Sequence, residues 1–324
     1  MFKVFLISVF SLFVISCAVR PVNIEMTPSQ RENLNVIKIY NLVVQDEVRF
    51  LLSLSPDATG VRIVGQDMGD SFNYWASQSE KKLMDKFYEV TEKIDVRKIL
   101  GNGIYIESTG HYSIIGKQES AQTIKLSSKK LEDKIDALVE GEALLYIENQ
   151  YYFVNDAKTL QTTTSAKLYF GGVPKKSVEK KPFDMDETED NVIQKRKPGY
   201  YNTFVYQSDQ VGPGKGDSLS LWGRHDGALF VSTLEESASL VSLMLNYDLN
   251  PKLNKNCLES AKAYHFGPYD KSIVKGEIVL NDTDWVALRG SKDGAIYLFP
   301  TTALLSAGLD GKSVSHCNSS KGGQ

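Results

Sequence analysis

The chain has 324 residues, 42% hydrophobic and 24% charged, which is enough material for a folded core and a length that suits about two domains. Its 37 Lys and Arg against 40 Asp and Glu leave a net charge of -3. That balance carries no basic footprint and excludes nucleic acid as an expected partner.

Lys3 gives a short positive flank, and Val4 to Ile15 is a predominantly apolar run of twelve residues. A bilayer-spanning helix needs about 20 apolar residues, so the run fits the core of a secretory signal peptide instead. Val14-Ile15-Ser16-Cys17 closes it and resembles the lipobox of bacterial lipoproteins, with Val14 where Leu is usual. The resemblance implies removal of residues 1–16, acylation of Cys17, and attachment to the bilayer through the acyl chains. It also implies outer-membrane sorting, because Ala18 rather than Asp follows the cysteine. Ser16-Cys17-Ala18 also satisfies the small-x-small rule of an ordinary signal, which would release a soluble chain from Val19. Either way Cys257 and Cys317 remain, and an even pair in an oxidising compartment reads as one disulfide. It would close a loop of about 60 residues, a constraint worth a few kcal/mol. Export also argues against nucleotide as a partner.

Residues 17–33, polar with two prolines, read as a lipidated tether. An N-terminal α+β domain then spans 34–173. Val36 to Leu54 reads as a hairpin broken at Gln45-Asp46-Glu47, with a single helix as the competing reading. Val61 to Val64 is a short strand. Leu83, Met84, Phe87, Val90 and Ile94 recur at helical spacing, predicting one helix over about 78–100, capped by Ser77 and Glu80 and closed by Gly101. Hairpins are predicted over 103–116, turning at 108–110, and over 143–154, turning near 148–150; a helix over 128–140 lies between them. Lys167 to Phe170 is a last strand. Antiparallel hairpins with a few amphipathic helices make an α+β fold.

Residues 174–198 hold charges of both signs and few apolar side chains, and read as a charged linker or long loop between domains. A β-rich domain is expected over 199–317, followed by a frayed tail over 318–324. Within it, residues 217–231 match 284–298 at an offset of 67, each with a Gly-x-x-Asp-Gly turn between apolar runs. Both copies read as hairpins, by duplication or by convergence on one turn. The second copy is similar to the central hairpin of bacterial SH3-type barrels, although the glycine and tryptophan pattern expected around it is absent. A helix over about 234–245, capped by Thr233 and Glu236, lies between the copies.

The four histidines, His111, His225, His265 and His316, form no metal-binding spacing, so no metal site is expected. S-x-x-K at Ser127 to Lys130 resembles the nucleophile motif of penicillin-binding enzymes, but it recurs at Ser79 and Ser177 and its companion motifs are absent. No catalytic residue and no cofactor is assigned. Trp222, His225 and Asp226 are the candidate binding residues. The expected function is a non-enzymatic binding or assembly subunit with protein partners in the envelope. The alternative is an envelope hydrolase acting on peptidoglycan or polysaccharide through His225 and Asp226.

Overall fold

The computed structural model describes residues 23–43, 49–53, 61–64, 78–106, 113–115, 126–172, 196–250, 260–266 and 271–305. Among the described residues, eleven strands make one mixed sheet with helices against it, an α+β fold whose C-terminal half is mainly strand. The spine is β5 (Glu142–Val154), which pairs antiparallel along its length with β6 (Thr159–Phe170). The sheet continues through β7 (Tyr200–Gln207), β11 (Ile296–Pro300), β10 (Trp285–Gly290) and β9 (Lys271–Asn281) to β8 (Ser260–Phe266).

The expected hairpin over 143–154 is therefore one straight strand. Its polar centre has a packing reason rather than a turn. Asn149 is buried and its amide nitrogen donates to Asn41 Oδ1 at 2.6 Å and to the Leu42 carbonyl at 3.1 Å, while its Oδ1 accepts from Thr164 Oγ1 at 2.8 Å. Neighbouring Glu148 lies on the other face and pairs with Lys167 at 3.2 Å. The true turn is Asn155 to Lys158, with left-handed backbone at Asn155, Asp156 and Ala157.

The expected hairpin over 36–54 is also replaced. β1 (Val36–Val43) and β2 (Arg49–Ser53) are strands, but both lie parallel to β5, β1 along Glu142 to Asn149 and β2 at Tyr152 and Phe153. A strand as long as β5 offers an edge that two shorter strands can share end to end. β3 (Val61–Val64) pairs with β2, and β4 (Ser113–Ile115) runs parallel to β1, which overturns the hairpin over 103–116; its turn at 108–110 lies outside the described residues.

α1 is Pro28–Glu32. The long helix expected over 78–100 is two, α2 (Gln78–Thr91) and α3 (Val96–Gly103). Asp95 breaks it, since its Oδ1 accepts the Lys98 amide at 3.1 Å and starts a new helix. Gly101 is inside α3, and Gly103 ends it where a Cβ would sit 2.6 Å from Ala238 Cβ. α4 (Ser128–Asp136) is shorter than expected and covers Leu42, Leu144, Tyr146 and Tyr169 on the outer sheet face.

The first copy of the matched segment is not a hairpin. Residues 217–231 form α5 (Lys215–Trp222), a left-handed turn at His225, Asp226 and Gly227, and the start of α6 (Arg224–Leu249). Duplication of a hairpin is thus rejected. The second copy is the expected hairpin, with Leu288 opposite Tyr297. Thr233 does not cap a helix start, because α6 already runs through it and its hydroxyl donates back to the Leu229 carbonyl at 2.8 Å. α6 is long and apolar enough to cross a membrane, but 56% of its apolar window is buried in this fold, as for a core helix.

α6 packs on β6 and β7 with α3 beside it, and a core cluster spans that face from Ile37 and Leu145 to Phe204, Trp222, Leu245 and Leu298. The division expected at 174–198 meets a sheet that is continuous across it: β6 and β7, on either side, are antiparallel neighbours, and this core draws on both halves. Strands β8 to β11 form a meander that continues past Pro300. Leu304 bridges Ala263, and the Leu305 amide donates to the Lys262 carbonyl at 2.9 Å, which returns the chain after β11 to β8 beside a cluster of Ile278, Val286, Leu288 and Phe299. Gln207 stitches β8 to β7. Its Nε2 donates to the Tyr264 carbonyl at 3.0 Å, and its Oε1 accepts from the Phe266 amide at 2.9 Å.

The expected tether is structured from Asn23 onward. The backbones of Ile24 and Tyr201 exchange hydrogen bonds at 2.8 and 2.9 Å, Met26 and Leu34 are buried, and Thr27 and Gln30 form a capping box on α1.

Candidate functional site

The β7 strand carries the site because its two faces differ. Tyr200, Phe204 and Tyr206 point into the helix-covered core, while Tyr201, Thr203 and Val205 alternate onto the outer face. That face holds an open groove of about 160 Å³. Tyr201, Thr203 and Val205 form one wall; Asp293, Ala295 and Tyr297 from the β10–β11 hairpin form the other, with Asn23 at the rim.

The polar groups of the groove are held in place. Asp293 Oδ1 accepts the Ala295 amide at 3.2 Å and Oδ2 accepts the Tyr297 hydroxyl at 2.7 Å, which fixes both side chains to the turn. The hydroxyls of Tyr201 and Thr203 meet at 3.0 Å. Lys167 sits over the Tyr201 ring at 5.9 Å and continues the polar surface to Glu148. Below the groove, Asp248 at the end of α6 is buried and gathers donors from two strands. Its Oδ2 accepts from Tyr200 and Asn202 at 2.7 Å each, and its Oδ1 pairs with Arg289 at 2.6 Å. Burial and the Asp248 charge push the Tyr200 hydroxyl well above its ordinary pKa. Burial alone would lower the Arg289 pKa, but the Asp248 carboxylate outweighs it and raises it. These groups lock β7, β10 and α6 together beneath the groove floor.

The groove is an open surface with aromatic and hydrogen-bonding walls. Its volume suits one or two side chains of an extended segment rather than a compact organic ligand, which usually fills several hundred Å³.

The residues singled out from sequence lie elsewhere. Trp222 is fully buried; its indole N–H donates to the Ala157 carbonyl at 2.8 Å, and its ring packs on Phe153 at 5.2 Å. It braces the β5–β6 turn and is closed to ligands. His225 and Asp226 are exposed on the left-handed turn, and neither lines the groove. Cys17, Cys257 and Cys317 lie outside the described residues. Among the described residues, no group of three or more His, Cys, Asp or Glu could hold a metal ion. The groove residues were missed because they are ordinary strand and turn residues, 90 positions apart in the sequence at Thr203 and Asp293. The alternation of Tyr201, Thr203 and Val205 was the available signal, and it does not say which face stays open. The chain matches no family model, and no curated protein is similar to it in sequence.

Proposed function

We propose that the protein is a lipid-anchored envelope lipoprotein of the outer membrane that acts as a non-enzymatic binding or assembly subunit, taking an extended protein segment in the groove beside β7. The groove carries the reading. Tyr201 supplies rigid contact area, the buried Tyr297 backs the opposite wall, and Thr203, Asn23 and Asp293 offer hydrogen-bonding groups around them. Asp293 is engaged by its own turn, which suits a positioning acceptor. The anchor follows from the lipobox resemblance at Val14 to Cys17. The hydrolase alternative placed its chemistry at His225 and Asp226, and no observation at that exposed turn favours it.

The test is capture from detergent-solubilised membranes with a photo-crosslinking residue at Thr203. A discrete protein adduct is expected, and Tyr201→Ala should cut it about tenfold, the loss of roughly 1.4 kcal/mol or more that an aromatic anchor usually supplies. An adduct pattern unchanged by the substitution would refute the groove as the binding site. Separately, Cys17→Ser should release the protein from membranes, and absence of an acyl mass on the wild type would refute the anchor.

A further inference from the structure

We infer that the protein stands close against the bilayer with the groove side of β7 turned toward it. The inference rests on the proposed lipid anchor at Cys17 and adds where the body sits relative to that anchor. The chain is fixed to the body from Asn23 onward. The Asn23 side chain lies against the β10–β11 turn, where a Cβ on Gly294 would come within 2.5 Å of its Oδ1. Ile24 is hydrogen-bonded on both backbone groups to Tyr201, and the buried Met26 and Leu34 with capped α1 hold the residues beyond it. The exit point of the anchor is therefore the rim of the groove.

Covalent length sets the rest. The six residues from Cys17 to Asn23 reach at most about 20 Å when fully extended, whereas a free tether to residue 33 would reach about 55 Å. The body is longer than that leash, since β5 alone spans about 40 Å at a strand's rise per residue. From the level of Tyr201 the far turn at Asn155 to Lys158, with Lys215 docked on it through Asp156, lies about 25 Å along the strands. A leash shorter than the body and attached beside the groove holds the groove near the headgroups and the 155–158 turn away from them. Ile24 adds an apolar side chain at that surface, 39% exposed. A protein segment entering the groove must therefore meet it at the membrane plane.

The test uses the full acylated chain, purified in detergent and reconstituted into phosphatidylethanolamine–phosphatidylglycerol vesicles that carry a headgroup acceptor dye. A short-range donor is installed as a non-natural residue at Lys292, beside the groove, or at Lys215, at the far end. Energy transfer from position 292 should exceed that from 215 by about twofold or more, given the separation along the strands. Inserting about twelve Gly and Ser residues between Val22 and Asn23 should abolish the difference. Equal transfer from both positions without the insertion, or more from 215, overturns the orientation. The acyl mass on Cys17 is read on the same sample. If it is absent, the anchor and this inference fail together; if it is present with equal transfer, the anchor stands and only the orientation fails.

Discussion

Asp248 shows how one buried charge can decide the stability of the groove floor. It accepts from Tyr200 and Asn202 and pairs with Arg289, and Arg289 Nη1 is buried without a hydrogen-bond partner among the described residues. The guanidinium thus depends on the carboxylate. Asp248→Asn should lower the unfolding free energy by about 3–5 kcal/mol, because removing one partner leaves the other charge buried and uncompensated. The double change Asp248→Leu with Arg289→Met should cost much less, since it removes both charges. Urea denaturation of the two variants checks this, and equal losses would mean the charge pair is not the cause. Asn149 works by the same logic without charge. Its amide is satisfied by Asn41, Leu42 and Thr164, which holds a polar residue in the middle of a buried strand.

Among the elements, the Gly-x-x-Asp-Gly pattern serves two different turns. Gly294 has φ +70° and closes the β10–β11 hairpin; Gly227 has φ +77° and joins α5 to α6. The residues just after each glycine do not tell the two turns apart, since Ala-Leu-Phe-Val and Ala-Ile-Tyr-Leu are similar apolar runs. The difference lies in continuation: Phe230, Leu234, Ala238, Val241 and Leu245 keep a helical stripe buried far beyond the turn. Gly227 is also tightly packed, with a Cβ there meeting Ile94 Cδ1 at 2.8 Å and Val90 Cγ1 at 3.1 Å. Gly227→Ala should therefore destabilise by about 1–3 kcal/mol, from left-handed backbone strain plus the contact with the end of α2. Thermal unfolding reads the loss, and an unchanged melting temperature would contradict the strained turn. The β5–β6 turn is braced differently. Ala157 is left-handed without being glycine, and the carbonyls of Ala157 and Asp156 are held from the α5 side by the Trp222 indole and the Lys215 amide.

Across the whole molecule, buried tyrosines have hydroxyls that resist ionisation. Burial, reinforced by the charges of Glu148 and Glu132, pushes Tyr169 up to about 12. Burial also raises Tyr146 and, with Glu236, Tyr206. A folded pKa above the unfolded value near 10 means the contribution is complete below pH 10 and is lost as pH rises toward 12. Stability should thus be insensitive to these groups at neutral pH and fall steeply between pH 10 and 12. Tyr169→Phe should remove about 2 kcal/mol or less of that fall, measured as denaturation midpoints across the alkaline range. An identical alkaline profile for wild type and variant would show that Tyr169 is not among the groups responsible.

Local chemistry was legible in the chain itself: the α+β class, the helix beginning at Ser128, the helical run through 234–245, the second Asp-Gly hairpin, and the lipobox-like segment on which the anchor proposal rests. These depend on periodicity and turn residues within a few positions of one another. Tertiary packing set everything that depends on which distant residue lies opposite. It made 143–154 one strand because Asn149 finds partners on β1 and β6, and it placed β6 and β7 side by side across the charged stretch. It buried Trp222 and left Tyr201 and Thr203 on the outer face of β7 partly open beside the Asp293 turn, because a strand's alternation names two faces and only packing chooses which one is covered.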